Sequence, residues 1–188
     1  MQGRGVDAPL NETGRKQADA FYARYKDEQF DKVYTSTLLR THQTVAGFLQ
    51  DGLPTAQLSG LDEIGWGIYE GLEQTPEVMK GFSNLIERWR NGELDICVEG
   101  GETPNQLVIR QREALSHILS QKDEKKILIC MHGRAMRVFL SILTHRDIAL
   151  MDDFPHTNTA LYKVYYDGHS FSIEDAYNIQ HLDELYTE

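Results

Sequence analysis

The residues Ile127–Met131 form a short apolar run that is followed at once by the pattern of a helix. The run is apolar and β-branched enough to predict a strand that is buried on both faces. It ends at His132-Gly133, and a helix is predicted through Arg134–Leu143. A strand of this kind needs helices on both faces of its sheet, which constrains the chain to an α/β fold.

The first third of the chain continues this alternation. A helix that begins at about Thr13 or Gly14 is predicted from apolar residues at helical spacing, namely Ala18, Phe21, Tyr22 and Tyr25. A short strand is predicted over Lys32–Thr35. Ser36 is then a candidate N-cap for a second helix, whose apolar stripe is Leu38, Thr41, Val45, Phe48 and Leu49.

The remaining segments complete the predicted order of elements. Gly52–Gly71 is predicted to be irregular and Pro76–Arg90 to be helical. Thr103 as N-cap and Pro104 at the first helical position predict another helix, and Asp167-Gly168-His169 predicts the turn of a hairpin at the sheet edge. We therefore predict a single domain over residues 1–188, built as a three-layer α/β/α sandwich with a mostly parallel sheet.

The charge of the chain narrows the choice of partners. The formal net charge is −10, so the field of the whole molecule repels nucleic acid and anionic membranes. No apolar run approaches the roughly 18 residues of a membrane-spanning helix, and the opening residues have no apolar signal region. Cys97 and Cys130 have no metal-ligand spacing. We expect a cytoplasmic protein with reduced thiols, whose oligomeric state stays open, with a homodimer as one possibility.

Two predicted strand-to-helix junctions are candidate ligand sites, because ligands of parallel sheets bind beyond the carboxyl ends of the strands. At the first junction, Thr35 and Ser36 precede a helix whose first turn carries Arg40. A helix N-terminus and a guanidinium together suit a phosphate group. The alternative is an ordinary capped helix with a solvated arginine, and the segment by itself favours that alternative.

The second junction carries His132, followed by Gly133, which permits close backbone approach. A phosphate-facing imidazole and a hydrogen-bonded structural histidine are equally compatible with this placement. The other histidines are predicted on helix surfaces, loops or edges, and none has a metal-binding spacing. Glu63 is flanked by apolar residues and glycine, so burial could raise its pKa enough for proton donation; the alternative is a surface carboxylate.

Five tracts, in order along the chain, carry a resemblance to one family. They are QGRGVDAPLNETGRKQA, YTSTLLRTHQTV, LDEIGWGIYEG, EGGET and MHGRAMRVFL. Together they resemble the histidine phosphatase superfamily, whose fold is phosphoglycerate-mutase-like. The resemblance implies that Arg40 and Ser36 bind phosphate, that His132 and Gly133 belong to the phosphate pocket, and that Glu63 donates a proton. It also implies that Gln2 and Gly3 touch a small phosphorylated metabolite, and that no metal or cofactor is needed.

The family's Arg-His-Gly triplet, which carries the phosphorylated histidine, does not occur in this sequence. We therefore expect that this sequence is truncated at its N-terminus and lacks the first central strand. We also expect a phosphatase reaction through a phosphohistidine whose nucleophile is absent from the chain. The alternative is a catalytically inactive module that binds a phosphorylated ligand. Phosphoglycerate mutase activity is a second alternative, ranked lower because the added segment of the mutases is not found between Gly71 and Gly100.

Overall fold

The structure is a computed structural model that describes residues 1–185. Its α-helices are α1 (Glu12–Tyr25), α2 (Leu39–Thr44), α3 (Ala46–Gln50), α4 (Pro76–Arg90), α5 (Pro104–Ser120) and α6 (Gly133–Leu143). Its strands are β1 (Lys32–Thr35), β2 (Thr55–Gln57), β3 (Ile127–Cys130), β4 (Leu161–Tyr166) and β5 (Phe171–Asn178). Short 3₁₀ turns cover Ser59–Leu61, Gly67–Tyr69, Ile148–Asp153 and Gln180–Leu185.

The strands β1, β2 and β3 form a parallel sheet in the order β2-β1-β3. Val33 of β1 is paired with Thr55 on one side and with Leu128 on the other, and Thr35 is paired with Cys130. The carboxyl ends of β1 and β3 therefore lie side by side. Whatever follows these two strands is brought to the same edge of the sheet.

Helices cover both faces of this sheet, which confirms the predicted three layers. Side chains alternate along a strand, so Val33 and Tyr34 point to opposite faces. Val33 and Leu128 pack against residues of α1 and α3 and of the link before α3, namely Phe21, Tyr25, Val45 and Phe48. Tyr34 packs on the other face, against residues of α5 and α6 and a neighbouring turn, namely Leu61, Ala114, Ile118, Phe139 and Leu143.

Local signals account for several element boundaries that the sequence predicts correctly. α4 spans the predicted residues and is capped by Thr75, and α5 begins at Pro104 with a capping box between Thr103 and Gln106. α1 begins at Glu12, one or two residues early, because Asn11 is its N-cap and accepts a hydrogen bond from Gly14. α4 and α6 also enclose a third apolar cluster, built around Trp89 and Val138.

Other predictions need correction. The segment predicted to be irregular contains β2, whose three residues have no apolar pattern and are held by pairing with β1. Ser36 is not an N-cap: the second helix is divided at Val45 into α2 and α3, and Leu38 precedes α2. The reason is that the Ser36 hydroxyl instead accepts from the Leu38 amide at 3.1 Å and lies beside Thr41.

The hairpin β4–β5 is formed as predicted, but it is a two-stranded sheet of its own rather than an edge of the parallel sheet. Its Val164 and Phe171 pack against the cluster that contains Tyr34. β3 lies at the end of the three-strand order, so Leu128 is buried while its other residues are half-buried. Within residues 1–185, no helix is both long and apolar enough to cross a membrane.

Candidate active site

The carboxyl ends of β1 and β3 bring Ser36 and His132 together. The Ser36 amide donates to the Cys130 carbonyl at 3.2 Å and continues the parallel ladder by one residue. His132 follows β3 and is the N-cap residue of α6. Its Nε2 lies 2.7 Å from the Ser36 hydroxyl, and both side chains are buried. Two residues that are 96 positions apart in the chain thus share one hydrogen bond.

Arg40 reaches the same point from the first turn of α2. Its Nε donates to His132 Nδ1 at 3.2 Å. Its two terminal nitrogens donate to the carbonyls of Val6 at 2.6 Å and Gly3 at 3.3 Å. The guanidinium therefore ties the loop before α1 to the end of β3. Burial lowers the pKa of Arg40. Nearby carboxylates oppose that shift, namely those of Glu63, Asp7, Asp62 and Glu70. The guanidinium stays cationic.

The hydrogen bonds around His132 determine where its proton lies. Since Arg40 can only donate, His132 Nδ1 is the acceptor and the ring proton is on Nε2. Nε2 then donates to Ser36, Ser36 donates to the Thr41 hydroxyl at 2.9 Å, and Thr41 donates to the Leu38 carbonyl at 2.8 Å. Burial first, and then the charges of Arg40 and other neighbours, lower the pKa of His132 to about 3. The imidazole is neutral at physiological pH.

The side chain of Glu63 lies against the first turn of α6, where it accepts hydrogen bonds from backbone amides. One carboxylate oxygen accepts from the amides of Ala135 at 2.8 Å and Ile64 at 2.9 Å, and the other accepts from Arg134 at 3.1 Å. Because the carboxyl group is fully buried, its pKa is raised, although the three amides act in the opposite direction. Glu63 is therefore both a cap for α6 and a buried carboxyl group whose pKa is raised by burial.

The predicted residues form one cluster, with one exception. Ser36, Arg40, His132 and Gly3 are joined by hydrogen bonds, and Glu63 binds the turn that contains Gly133. Gln2 is exposed at the surface beside Gly3. Apart from Gln2, the six predicted residues come from segments spread over most of the chain and meet at the carboxyl edge of the parallel sheet.

His156 lies in a loop, as the sequence predicts, and the structure places it next to the site. A methyl group added at Gly133 would meet the His156 ring at 2.9 Å, so this glycine permits the close approach. Burial lowers the pKa of His156, with further lowering by Arg137 and Arg134. No periodicity or motif in the sequence distinguished this histidine from the others.

Two further charged residues hold the Glu63 loop. Arg110 of α5 donates to the carbonyls of Ser59, Gly60, Asp62 and Glu63 at 2.9 to 3.1 Å, and pairs with Glu102 at 2.7 Å. Asp62 is buried and accepts from the Thr37 amide at 2.8 Å. A predicted helix gives no signal for either contact, because both depend on tertiary packing.

A cavity of about 440 Å³ adjoins the loop that contains Gly3. It is lined by Arg4, Gly5, Glu70 and the glycines that precede α5. Gly3 and Gly5 both lie against the Glu70 carboxylate, whose Oε1 accepts from the Trp66 amide at 2.9 Å. In residues 1–185, no group of three or more His, Cys, Asp or Glu side chains is arranged to hold a metal ion.

Comparison with known proteins gives a consistent assignment. A model of the histidine phosphatase superfamily (branch 1) matches residues 1–179. The chain is 27% identical over 193 residues to the broad-specificity phosphatase YOR283W of Saccharomyces cerevisiae, a match that covers 95% of this chain and 78% of that protein. It is 30% identical over 141 residues to fructose-2,6-bisphosphatase TIGAR B of Danio rerio, covering 72% of this chain and 51%, about half, of that relative.

The fold matches solved structures over nearly the whole chain. The mycobacterial glucosyl-3-phosphoglycerate phosphatase Rv2419c, in complex with inorganic phosphate, superimposes with a TM-score of 0.82 at 18% identity. That match covers 95% of this chain and 91% of the other. Further relatives in sequence are phosphoglycerate mutases. The chain belongs to the histidine phosphatase superfamily, branch 1.

Proposed function

We propose that this protein binds the phosphoryl group of a small phosphorylated metabolite at Arg40 and His132 and is built to remove it as a phosphatase. The observation that carries the proposal is the contact of 3.2 Å between Arg40 Nε and His132 Nδ1 at the carboxyl edge of the sheet. Relatives that are named as phosphatases support the removal of a phosphoryl group as the reaction. The free thiols of Cys97 and Cys130 suit a cytoplasmic protein. We also propose that residues 1–188 form one domain.

Each clustered residue has a role in this proposal. Arg40 donates hydrogen bonds to the phosphoryl oxygens. For the neutral His132 to donate as well, its single ring proton moves to Nδ1, and the Ser36 hydroxyl then donates to Nε2. The terminal nitrogens of Arg40 now donate to Val6 and Gly3, so a bound phosphoryl group replaces these carbonyls as the acceptor. Gly3 and Gln2 then border the ligand. Glu63, whose pKa is raised, gives its proton to the leaving oxygen.

The resemblance assigns the nucleophile to the histidine of the Arg-His-Gly triplet. Residues 1–188 do not contain this triplet. In that reaction a histidine nitrogen forms a bond to phosphorus while the bond from phosphorus to the leaving oxygen breaks, and water later hydrolyses the phosphohistidine. We therefore expect the 188-residue chain to bind phosphate and to show negligible turnover. A second candidate function is a phospho-ligand-binding module without catalysis.

Imidazole can serve as a soluble nucleophile that separates these two functions. The chain is assayed with p-nitrophenyl phosphate and increasing imidazole, and the rate without protein is subtracted. A phosphatase site predicts a saturable, imidazole-dependent release of p-nitrophenol that is lost in His132→Ala and kept in His169→Ala, a change in the exposed hairpin turn. Phosphate binding with no imidazole-dependent rate supports the binding module. Equal rates in both variants contradict the proposed site.

A further inference from the structure

A second cavity, of about 310 Å³, lies between α4 and α6. Its charged lining residues are Arg90, Arg134, Arg137 and Asp152, and Ser83 and two apolar side chains of α4 complete the wall. Three guanidinium groups and one carboxylate give this lining a formal excess of positive charge. The proposed active site does not use any of these side chains.

Asp152 is the single acceptor shared by all three arginines. One of its oxygens binds Arg134 and, at 3.1 Å, Arg137, while the other accepts from Arg90 Nε at 3.2 Å. The side chain of Arg134 is only 8% exposed. The side chain of Arg137 is 23% exposed, whereas that of Arg90 is 60% exposed and is largely solvated. Burying a cation is costly unless it is paired, and Asp152 is one carboxylate between the two more buried guanidinium groups, those of Arg134 and Arg137. A second anion in the cavity would relieve this imbalance.

The guanidinium groups have donors available for such an anion. Each carries five N–H groups. Within the part of the chain that the structure describes, Arg90 and Arg134 each direct one of them to a protein acceptor, and Arg137 directs two, the second to the Phe154 carbonyl at 2.9 Å. The Trp89 ring lies 6.0 Å from the Arg134 guanidinium and holds it in place. Planar forks held in this way suit bidentate binding of an oxyanion.

The cavity adjoins the candidate active site through the first turn of α6. Arg134 is two residues beyond His132, and its amide donates to Glu63 at 3.1 Å. His156 lies against Gly133 and is close enough to Arg134 and Arg137 for their charges to lower its pKa. A ligand with its phosphoryl group at Arg40 and a second acidic group could therefore extend towards Asp152.

We propose that the cavity lined by Arg90, Arg134 and Arg137 is a second oxyanion site, which binds a phosphate or carboxylate group. The group is either the second acidic group of the ligand held at Arg40 or a separate anion. If the group belongs to the ligand held at Arg40, the inference rests on the proposed function and implies a substrate with two acidic groups. If it is a separate anion, the inference does not depend on the proposed function.

A carboxylate placed in the cavity tests the site. Inorganic phosphate is titrated into the full chain by calorimetry, and the Trp89 indole N–H is followed by NMR. Ser83→Glu adds a carboxylate that competes for the arginines, whereas Asn84→Glu adds the same charge at the adjacent exposed position. We expect Ser83→Glu to lower, by about tenfold or more, the affinity for the phosphate that shifts the Trp89 signal. Asn84→Glu should change this affinity little. Equal affinities in both variants, or no shift of Trp89, would overturn the proposal.

Arg90→Gln and Arg88→Gln are a second matched pair near the end of α4. Arg90 lines the cavity, and Arg88 pairs with the exposed Glu93 outside it. The affinity for phosphate at the second oxyanion site, followed by the Trp89 signal, should fall in Arg90→Gln and be retained in Arg88→Gln. Arg40→Lys affects the phosphate bound at the proposed active site and spares this one, so the two sites succeed or fail independently.

The source of the oxyanion is identified with two-headed probes. n-Propyl phosphate is compared with a series of α,ω-alkanediol bisphosphates of increasing linker length. If one bisphosphate binds more tightly than propyl phosphate and Ser83→Glu removes the gain, the site takes the second acidic group of the ligand. If no linker gives a gain while phosphate still shifts Trp89, the site takes a separate oxyanion.

Discussion

Arg40 and His132 meet at 3.2 Å, with the guanidinium Nε donating to the imidazole Nδ1. The contact is possible because α2 and α6 both begin just beyond neighbouring parallel strands. It makes His132 an acceptor on one nitrogen and a donor to Ser36 on the other. A protonated His132 would lose the hydrogen bond to Arg40 and would place two cations in contact, so the site requires the neutral ring.

The depressed pKa of His132 predicts a loss of stability at acidic pH. The pKa is about 3 in the folded protein, against an ordinary value of 6.5, because of burial and the nearby cations. The unfolded chain therefore binds more protons as the pH falls below about 6.5, and the stabilisation present above that pH is progressively lost down to about pH 3.

Between pH 7 and pH 5, this histidine should lower the free energy of unfolding by about 2 kcal/mol. Urea unfolding at the two pH values measures the change. His132→Gln should show a smaller pH dependence, and His169→Gln should behave like the wild type because that residue is exposed. An equal pH dependence in all three proteins would show that His132 titrates normally.

The proposed role of Glu63 predicts a dependence on the leaving group. In the imidazole-assisted reaction, Glu63→Gln removes the proton donor, so the rate with phenyl phosphate should fall by about 100-fold or more. The fall should be much smaller with p-nitrophenyl phosphate, whose leaving group needs no proton. Equal losses with both substrates would indicate that Glu63 acts only as the cap of α6.

Gly67 and Gly71 predict a matched pair of stability effects. Both have a positive φ, at 48° and 73°, so alanine costs about 1 kcal/mol or more at either position. A methyl group at Gly67 would also lie 2.1 Å from the Glu99 carbonyl, whereas at Gly71 it would meet nothing within 4 Å. Thermal unfolding should therefore show Gly67→Ala to be the more destabilised, by about 2 kcal/mol or more. Similar melting temperatures for the two variants would contradict the packing of this turn.

Elements with local signals could be predicted from the sequence, and elements without them could not. Thr103, Pro104 and the apolar spacing that follows define α5 without reference to the rest of the molecule. β2 is only Thr55–Gln57, and it is a strand because Val33 pairs with it. No residue pattern in the sequence predicts the division between α2 and α3 at Val45.

The candidate site divides in the same way. Arg40, His132 and Glu63 could be named because they lie in tracts that resemble a known family and at junctions where parallel sheets bind ligands. The four backbone contacts of Arg110 and the burial of Asp62 depend on segments about 25 to 50 residues apart meeting in three dimensions. Their charges alone resemble those of many surface residues.

The affinity of the full chain for inorganic phosphate, measured with and without Arg40→Lys, is the most direct test of the proposed site. An ammonium cannot reproduce the planar fork that meets His132, Val6 and Gly3. We predict that phosphate shifts the NMR signals of the His132 ring and that Arg40→Lys weakens this binding by about tenfold or more. Phosphate binding that leaves the His132 signals unmoved, or that is equally tight in the variant, would contradict the account.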